Sequence, residues 1–174
     1  LEELENMVAA KDASMKKLKE TLTKSLKSFD GKGLTVHEKD GKVYVSMENK
    51  LLFSSGSWAV GSEGRRAVVE VGKVLAANPD ISVLIEGHTD DDAYGGSGPI
   101  ADNWDLSTKR ATAIVTILGE NRSINRQNLT AAGRSEYAPL ASNTTPEGKA
   151  KNRRIEIILT PKLDEISKML NDIN

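Results

Sequence analysis

One strand-length apolar run constrains the fold of this chain more than any other feature. Residues 81–87 form a continuous segment of mostly aliphatic side chains, and Asn78-Pro79 stops a helical pattern just before it. Helical patterns flank the run on both sides, over about residues 62–77 and 103–119. We therefore predict a buried strand between two helices, which is typical of a domain whose helices cover a sheet.

Further strand patterns complete the predicted sheet. They cover residues 34–36, 43–47, 129–133 and 154–160. The first two alternate around Asp40-Gly41, a pair that favours a tight hairpin turn, and the last alternates well before Pro161 closes it. Residues 134–150 are predicted to be a polar loop. The fold class that we predict is α+β: a sandwich with helices packed on one face of a mixed sheet, in the core order strand, helix, strand, helix, strand, strand.

The first 29 residues predict one helix, and two roles for it remain open. Its apolar positions are Leu1, Leu4, Val8, Met15, Leu18, Leu22 and Phe29. They follow a heptad that Lys11 and Ser25 interrupt, and the glycines of Asp30-Gly31-Lys32-Gly33 provide a helix end. The pattern fits a coiled-coil stalk that continues upstream and could pair two chains. It also fits an amphipathic helix packed on its own domain.

We place a domain boundary near residue 30. Residues 1–30 are the predicted helix or stalk, and residues 31–174 are the predicted domain, with its core at about 43–160. A final amphipathic helix is predicted from Leu163, Ile166, Met169 and Leu170.

Composition excludes several classes of function. The chain has 24 basic and 25 acidic residues and a net charge of −1, whereas a nucleic-acid binder needs a surplus of Lys and Arg. It has no cysteine and only two histidines, so we expect no disulfide, no metal and no cofactor. No apolar run approaches the roughly 20 residues that span a bilayer. Since the chain opens at Leu1 without a secretory signal, we expect a fragment or mature segment whose membrane anchor lies outside it.

Gly87-His88-Thr89-Asp90 is the first candidate site motif, at the carboxyl end of the predicted buried strand. Loops at such strand ends often hold ligand groups, because a rigid scaffold presents them. Asp91 and Asp92 follow, so the segment fits an anionic pocket for an ammonium or other cation. A solvated acidic loop is the alternative.

Arg110 is the second candidate. On a helix, Asn103, Ser107 and Arg110 share one face, and either Asp102 or Asn103 can cap the helix N-terminus. A guanidinium on the inner side of a helix requires an anionic partner, and its planar fork matches a carboxylate. That partner is either a ligand or a structural residue such as Glu86 or Asp90.

The third candidate is the segment 148–156, which enters the last predicted strand. Strand alternation puts Arg153 and Arg154 on opposite faces. One of them could reach a ligand or brace the acidic loop, while the other would be solvated. Structural ion pairing is the alternative for both.

Taken together, these three motifs resemble the OmpA-like peptidoglycan-binding domain. The resemblance rests on residues 87–90, on Asn103, Leu106, Ser107, Arg110 and Ala111, and on Asn152-Arg153-Arg154-Ile155-Glu156, with Leu52-Phe53 and Gly56-Ser57 upstream. It covers about residues 43–160. The family includes the carboxy-terminal domains of OmpA, of peptidoglycan-associated lipoproteins and of the flagellar stator protein MotB.

The resemblance implies a ligand and the residues that bind it. Members of the family bind the diaminopimelate of the peptidoglycan stem peptide through the Asp and the Arg of these motifs. Carried over, Asp90 accepts from the ligand's ammonium and Arg110 holds a carboxylate. By the same resemblance, Thr89, Asn103, Leu106 and Phe53 complete the pocket.

The loop of residues 91–102 is longer than in many family members and is closer to the stator-type domains. Asp91 or Tyr94 could therefore line the pocket rim, as could Arg154. His88 is expected to hydrogen-bond backbone and to fix this loop rather than to act as an acid–base group.

The resemblance implies a non-enzymatic wall-binding module of a Gram-negative envelope. We expect it in the periplasm, tethering an outer-membrane protein or complex to peptidoglycan. The alternative is the anchoring domain of a MotB-like stator in the inner membrane. A hydrolase is disfavoured, because the chain has no cysteine nucleophile and no serine in a nucleophile elbow.

Overall fold

The computed structural model describes residues 1–96, 98–162, 168 and 170–172, and the final helix predicted around residues 163–170 falls almost wholly outside them. The described elements are helix α1 (Glu2–Ser25), strands β1 (Leu34–Lys39) and β2 (Lys42–Glu48), helices α2 (Asn49–Leu52) and α3 (Ser62–Ala76), strand β3 (Ile81–His88), helix α4 (Asn103–Leu118), strand β4 (Leu129–Gly133), helix α5 (Pro146–Asn152) and strand β5 (Arg154–Pro161). Short 3₁₀ turns lie at Lys27–Phe29 and Arg126–Asn128.

The strands form one mixed sheet in the order β1-β2-β5-β3-β4. Strands β3 and β4 are parallel, and every other neighbouring pair is antiparallel. The β1–β2 turn has Asp40 at φ 53° and Gly41 at φ 74°, the pair of left-handed residues that a two-residue hairpin of the favoured twist requires. The predicted α+β class with a mixed sheet is confirmed.

The hydrophobic core lies between the sheet and the helices. Alternate residues of the central strands point into it, among them Val43, Val45, Met47, Ile155, Ile157 and Leu159. Helices α3 and α4 cover this face with apolar stripes that include Val68, Val71, Ile114 and Leu118. None of the helices within the described residues is long and apolar enough to span a bilayer.

Helix α1 packs its second half into the same core. Met15, Leu18, Leu22, Leu26 and Phe29 are buried there, whereas Leu1 is 87% exposed and Val8 is 44% exposed. From residue 15 onward, the packed amphipathic helix is therefore the observed arrangement. The apolar positions of the first half remain on the surface, and the helix ends at Ser25, earlier than its predicted end at residue 29.

One element within the predicted polar loop of residues 134–150 was missed. Helix α5 begins at Pro146, where Thr145 caps the helix by accepting a hydrogen bond from the Gly148 N–H at 3.0 Å. A threonine cap followed by proline in the first turn is a known start signal. The prediction of a continuous loop was wrong, because this signal is followed by only seven helical residues.

Candidate functional site

Strand β3 and helix α4 approach each other unusually closely at the end of the sheet. A side chain at Gly87 would overlap the backbone carbonyl of Ser107, so only glycine permits this approach. The residues after β3, Thr89 and Asp90, are thereby held against the first turns of α4. The last two residues of the Gly87-His88-Thr89-Asp90 motif thus directly follow a rigid strand and lie beside α4.

The face of α4 toward this strand end presents three of the predicted residues. Asp102 is the cap, accepting from the Asp105 N–H at 2.9 Å, so Asn103 is left to face inward. The side-chain amide of Asn103 donates a hydrogen bond to the Asp92 carbonyl at 2.9 Å. Asn103, Leu106 and Arg110 share one side of the helix because they are spaced by three and four residues.

A pocket of about 590 Å³ lies between this face of α4, the residues after β3 and the loop after α2. Its lining includes all six side chains predicted to bind the ligand: Phe53, Thr89, Asp90, Asn103, Leu106 and Arg110. Tyr94, predicted for the rim, lines it too, with its hydroxyl 3.5 Å from the Gly56 carbonyl oxygen. The volume falls in the range of about 300–1,000 Å³ that is usual for small-ligand sites.

Asp90 is buried at this pocket, with only 6% of its surface exposed. One carboxylate oxygen accepts from Arg153 Nη1 at 2.5 Å, and the other accepts from the Asp92 N–H at 3.0 Å. The backbone at Thr89 is held as well, since its N–H donates to the Ser135 carbonyl at 2.9 Å. Asp90 is therefore a fixed anion in the pocket wall, and a freely solvated acidic loop does not describe it.

Arg110 is buried as deeply, at 5% exposure. Its Nε–H donates to the Ser57 carbonyl at 2.8 Å, and its guanidinium lies 5.0 Å from the ring centroid of Phe53. Across residues 1–96 and 98–162, no carboxylate lies within ion-pair distance of it, so the alternative of a structural pair with Glu86 or Asp90 is wrong.

Burial lowers the pKa of Arg110 to about 10; the charge of Arg153 pushes it in the same direction, and Tyr94 and Asp90 oppose the shift. The side chain nevertheless remains a cation at neutral pH. A buried guanidinium held by one carbonyl and one aromatic ring is suited to an incoming anion, because a carboxylate would match its remaining planar fork.

Two of the predicted rim residues lie elsewhere. Asp91 does not line the pocket, and its carboxylate is 3.5 Å from Lys149 Nζ. Arg154 is 4% exposed and donates from Nε to Glu156 Oε1 at 2.7 Å. Arg153 braces Asp90, as expected for one of the two arginines, and the expectation that the other is solvated is wrong, because Arg154 is buried on the second face of the central strand β5. Arg153 occupies the rim position instead.

Two further lining residues, Asn49 and Lys50, were missed from the sequence, whereas Asp92 and Arg153 belong to segments that were predicted to contribute to the site. Asn49 is 6% exposed, and its backbone N–H donates to the Arg153 carbonyl at 2.8 Å. Its side-chain amide has no hydrogen-bond partner among the described residues. Nothing in the local sequence marks Asn49, and which of the two arginines turns toward Asp90 depends on the backbone where α5 ends and β5 begins.

His88 lies outside the pocket, on the opposite face of the sheet beside Glu86 and Arg154. It is 3% exposed, and its Nε2 is 3.6 Å from Glu86 Oε1. The expected backbone hydrogen bond is not observed within the described residues. His88, with Arg134, instead holds the pKa of Glu86 below its usual range against the opposing effect of burial. The histidine thus lies beside the charged side chains of Glu86 and Arg154, on the sheet face opposite the core.

Residues 52–153 match the OmpA family, and the chain belongs to that family. It is 34% identical over 118 residues to motility protein B of Bacillus subtilis, covering 68% of this chain and 45% of that protein. It is also 34% identical over 113 residues to the peptidoglycan-binding protein ArfA of Mycobacterium tuberculosis, covering 61% of this chain and 33% of that protein.

A solved structure, the cell wall anchor of the T6SS from Pseudomonas aeruginosa, superposes with a TM-score of 0.69 at 29% identity, covering 81% of this chain and 97% of that chain. The chain spans about half the length of the curated relatives that it matches. The family and the fold are therefore established for this chain alone.

Proposed function

We propose that this chain binds peptidoglycan without covalent attachment, through the diaminopimelate of the stem peptide, and thereby tethers an envelope protein or complex to the cell wall. One observation carries the proposal: a buried anion, Asp90, and a buried cation, Arg110, line the same pocket. A free amino-acid end carries one ammonium and one carboxylate, so a pocket whose wall holds a buried group of each sign is complementary to it.

The contacts already made by the two side chains leave room for this ligand. Ser57 occupies only the Nε–H of Arg110, and the terminal nitrogens make no hydrogen bond within the described residues. They can donate side by side to the ligand's carboxylate. Asp90 accepts one bond at each oxygen, and a carboxylate has about four acceptor sites, so an ammonium can be added.

Two relatives support the wall-binding part of the proposal through their names, one as a peptidoglycan-binding protein and one as a cell wall anchor. The position of His88 outside the pocket supports binding rather than hydrolysis. We place the chain in the periplasm, held by a membrane anchor outside the present sequence. A second copy paired through the exposed first half of α1 would give a two-headed binder with greater avidity, since the apolar residues from Met15 to Phe29 already pack on their own domain.

A second candidate role is the wall anchor of a motor stator. The 34% identity to motility protein B favours it, since that match covers 68% of this chain. The tether and the stator anchor would bind the wall by the same chemistry. They would differ in the membrane that holds the protein, which is the outer membrane for the tether and the inner membrane for the stator. Sequencing the gene upstream of Leu1 discriminates them: a stator requires a membrane span with an ionisable aspartate, and a lipoprotein tether requires a lipidated cysteine.

The proposal is tested by co-sedimentation with purified sacculi. We expect the chain to sediment with sacculi whose stem peptides contain diaminopimelate, and an excess of the soluble stem peptide to release it, because both compete for Asp90 and Arg110. A chain that stays in the supernatant would contradict wall binding. A chain that sediments but is not released would contradict the stem peptide as the ligand.

A further inference from the structure

Asn49 is a buried polar side chain in the wall of the pocket. It is 6% exposed, yet neither its amide nitrogen nor its amide oxygen makes a hydrogen bond within the described residues. A buried amide without partners is costly, because it has given up its hydrogen bonds to water and gained none in return. Since Asn49 lines the pocket, a bound ligand can supply the missing partner.

The backbone of Asn49 is fixed on both sides. Its N–H donates to the Arg153 carbonyl at 2.8 Å, and its carbonyl accepts from the Phe53 N–H at 2.7 Å. Helix α2, which Asn49 begins, also lies tightly against α3, since a Cβ at Gly64 would lie 2.7 Å from the Cα of Leu52. The terminal torsion of an asparagine side chain is broad, so the amide plane can turn toward a ligand without any movement of α2.

The chemistry of an amide indicates what kind of partner satisfies it. Its nitrogen donates and its oxygen accepts, so its partner needs one acceptor and one donor. A carboxylate only accepts and an ammonium only donates, whereas a peptide unit has both a C=O and an N–H. The pocket, of about 590 Å³, extends from Asp90 and Arg110 to Asn49, so a ligand whose charged end meets the first two residues can present a peptide unit to the third.

We propose that Asn49 binds a backbone peptide unit next to the diaminopimelate, so that the pocket selects this residue within a peptide chain over the free amino acid. The inference rests on the proposed function and adds a selectivity that Asp90 and Arg110 do not provide. In a stem peptide, one end of diaminopimelate is free and the other is joined to its neighbours through peptide bonds. Free diaminopimelate presents the same ammonium and carboxylate to the two charged residues but has no peptide unit for Asn49.

Calorimetric titration with a stem peptide and with free diaminopimelate tests the inference. The parent chain should bind the peptide more tightly. Asn49→Leu, which keeps the branched shape without the polar atoms, should bind the peptide about three- to tenfold more weakly, as expected for one neutral hydrogen bond, and free diaminopimelate with unchanged affinity. Asn49→Ala should behave in the same way, which separates loss of the amide from the bulk of leucine. Asn128→Leu is the control, since the Asn128 amide donates to the Pro79 carbonyl at 3.0 Å, away from the pocket lining.

A second arm changes the ligand instead of the protein. Two stem peptides are made in which one or the other peptide bond of diaminopimelate is replaced by an ester, which removes the N–H donor. One ester should bind the parent about three- to tenfold more weakly than the amide peptide does, and Asn49→Leu should not distinguish them. If the parent binds neither peptide nor free diaminopimelate, the proposed function fails and the inference with it. If the parent binds the peptide, but the Asn49 variants keep its preference or both esters bind as the amide does, the proposed function stands and the inference is overturned.

Discussion

Replacing Arg110 with methionine will lower the affinity for a diaminopimelate-containing stem peptide by about ten- to a hundredfold, while the fold survives. Methionine fills a similar apolar volume above Phe53 but provides no donor, so the ligand's carboxylate loses its partner. A hydrogen bond between charged groups contributes about 1.5–3 kcal/mol, which corresponds to that range of affinities. Calorimetric titration measures the loss, and circular dichroism verifies the fold.

Arg66 provides a matched control for this experiment. Its guanidinium also lies over an aromatic ring, 5.3 Å from the centroid of Phe29, but it is remote from the pocket lining. Arg66→Met should therefore leave binding unchanged. Arg110→Lys should bind the stem peptide weakly, as Arg110→Met does. An ammonium keeps the charge but loses the planar fork and the Nε–H that is donated to the Ser57 carbonyl. Parent-like binding by Arg110→Met would show that Arg110 does not hold the ligand.

Replacing Arg154 with methionine will destabilise the domain by about 3–5 kcal/mol, the cost of leaving a buried ion without its partner. Arg154 donates to Glu156 Oε1 at 2.7 Å and to the carbonyls of Asn152 and Ala138 at 3.2 and 3.0 Å. Glu156 is 5% exposed and pairs across the strands with another carboxylate residue, Glu86. Without Arg154, the buried carboxylate of Glu156 would lose its cation while the carboxylate of Glu86 remains beside it. Urea unfolding at neutral pH measures the difference.

The matched variant removes both charges. Arg154→Met combined with Glu156→Leu should recover most of the lost stability, because a buried ion pair is often no more stable than apolar residues of similar volume. The two substitutions should therefore be strongly non-additive. A single variant that loses less than about 1 kcal/mol, or a double variant that loses the sum of the single losses, would show that the buried pair does not hold this part of β5.

Local signals explain which elements the sequence predicts well. The helix predicted at residues 62–77 is observed as Ser62–Ala76, since Asn78-Pro79 stops it, and the hairpin forms around Asp40-Gly41. Helix α1 illustrates the opposite case. Its heptad pattern is compatible with a second chain or with its own domain, and only the presence of α3 and the hairpin beside it decides that the apolar side chains from Met15 to Phe29 are buried.

The candidate site likewise has residues that local sequence signals predict and residues that only tertiary packing places. Asp90 and Arg110 come from motifs with fixed spacing on rigid elements, and the structure brings them into one pocket as predicted. The rim depends on how the chain turns at α5, where Arg153 leaves the helix toward Asp90 and Arg154 enters the strand on the other face. Side-chain direction at such a junction depends on backbone angles that short-range patterns do not specify. Asn49 could not be predicted as a pocket residue from the sequence, because only tertiary packing brings α2 to the pocket.

Calorimetric titration of the parent chain with two stem peptides, identical except for the third residue, tests most directly whether Arg110 recognises the second carboxylate of diaminopimelate. Lysine retains the ammonium that Asp90 would accept but lacks that carboxylate. We predict that the lysine peptide binds about ten- to a hundredfold more weakly, the loss of one charge-assisted contact. Equal affinity for the two peptides would contradict the assignment of Asp90 and Arg110 as a site for one zwitterionic centre.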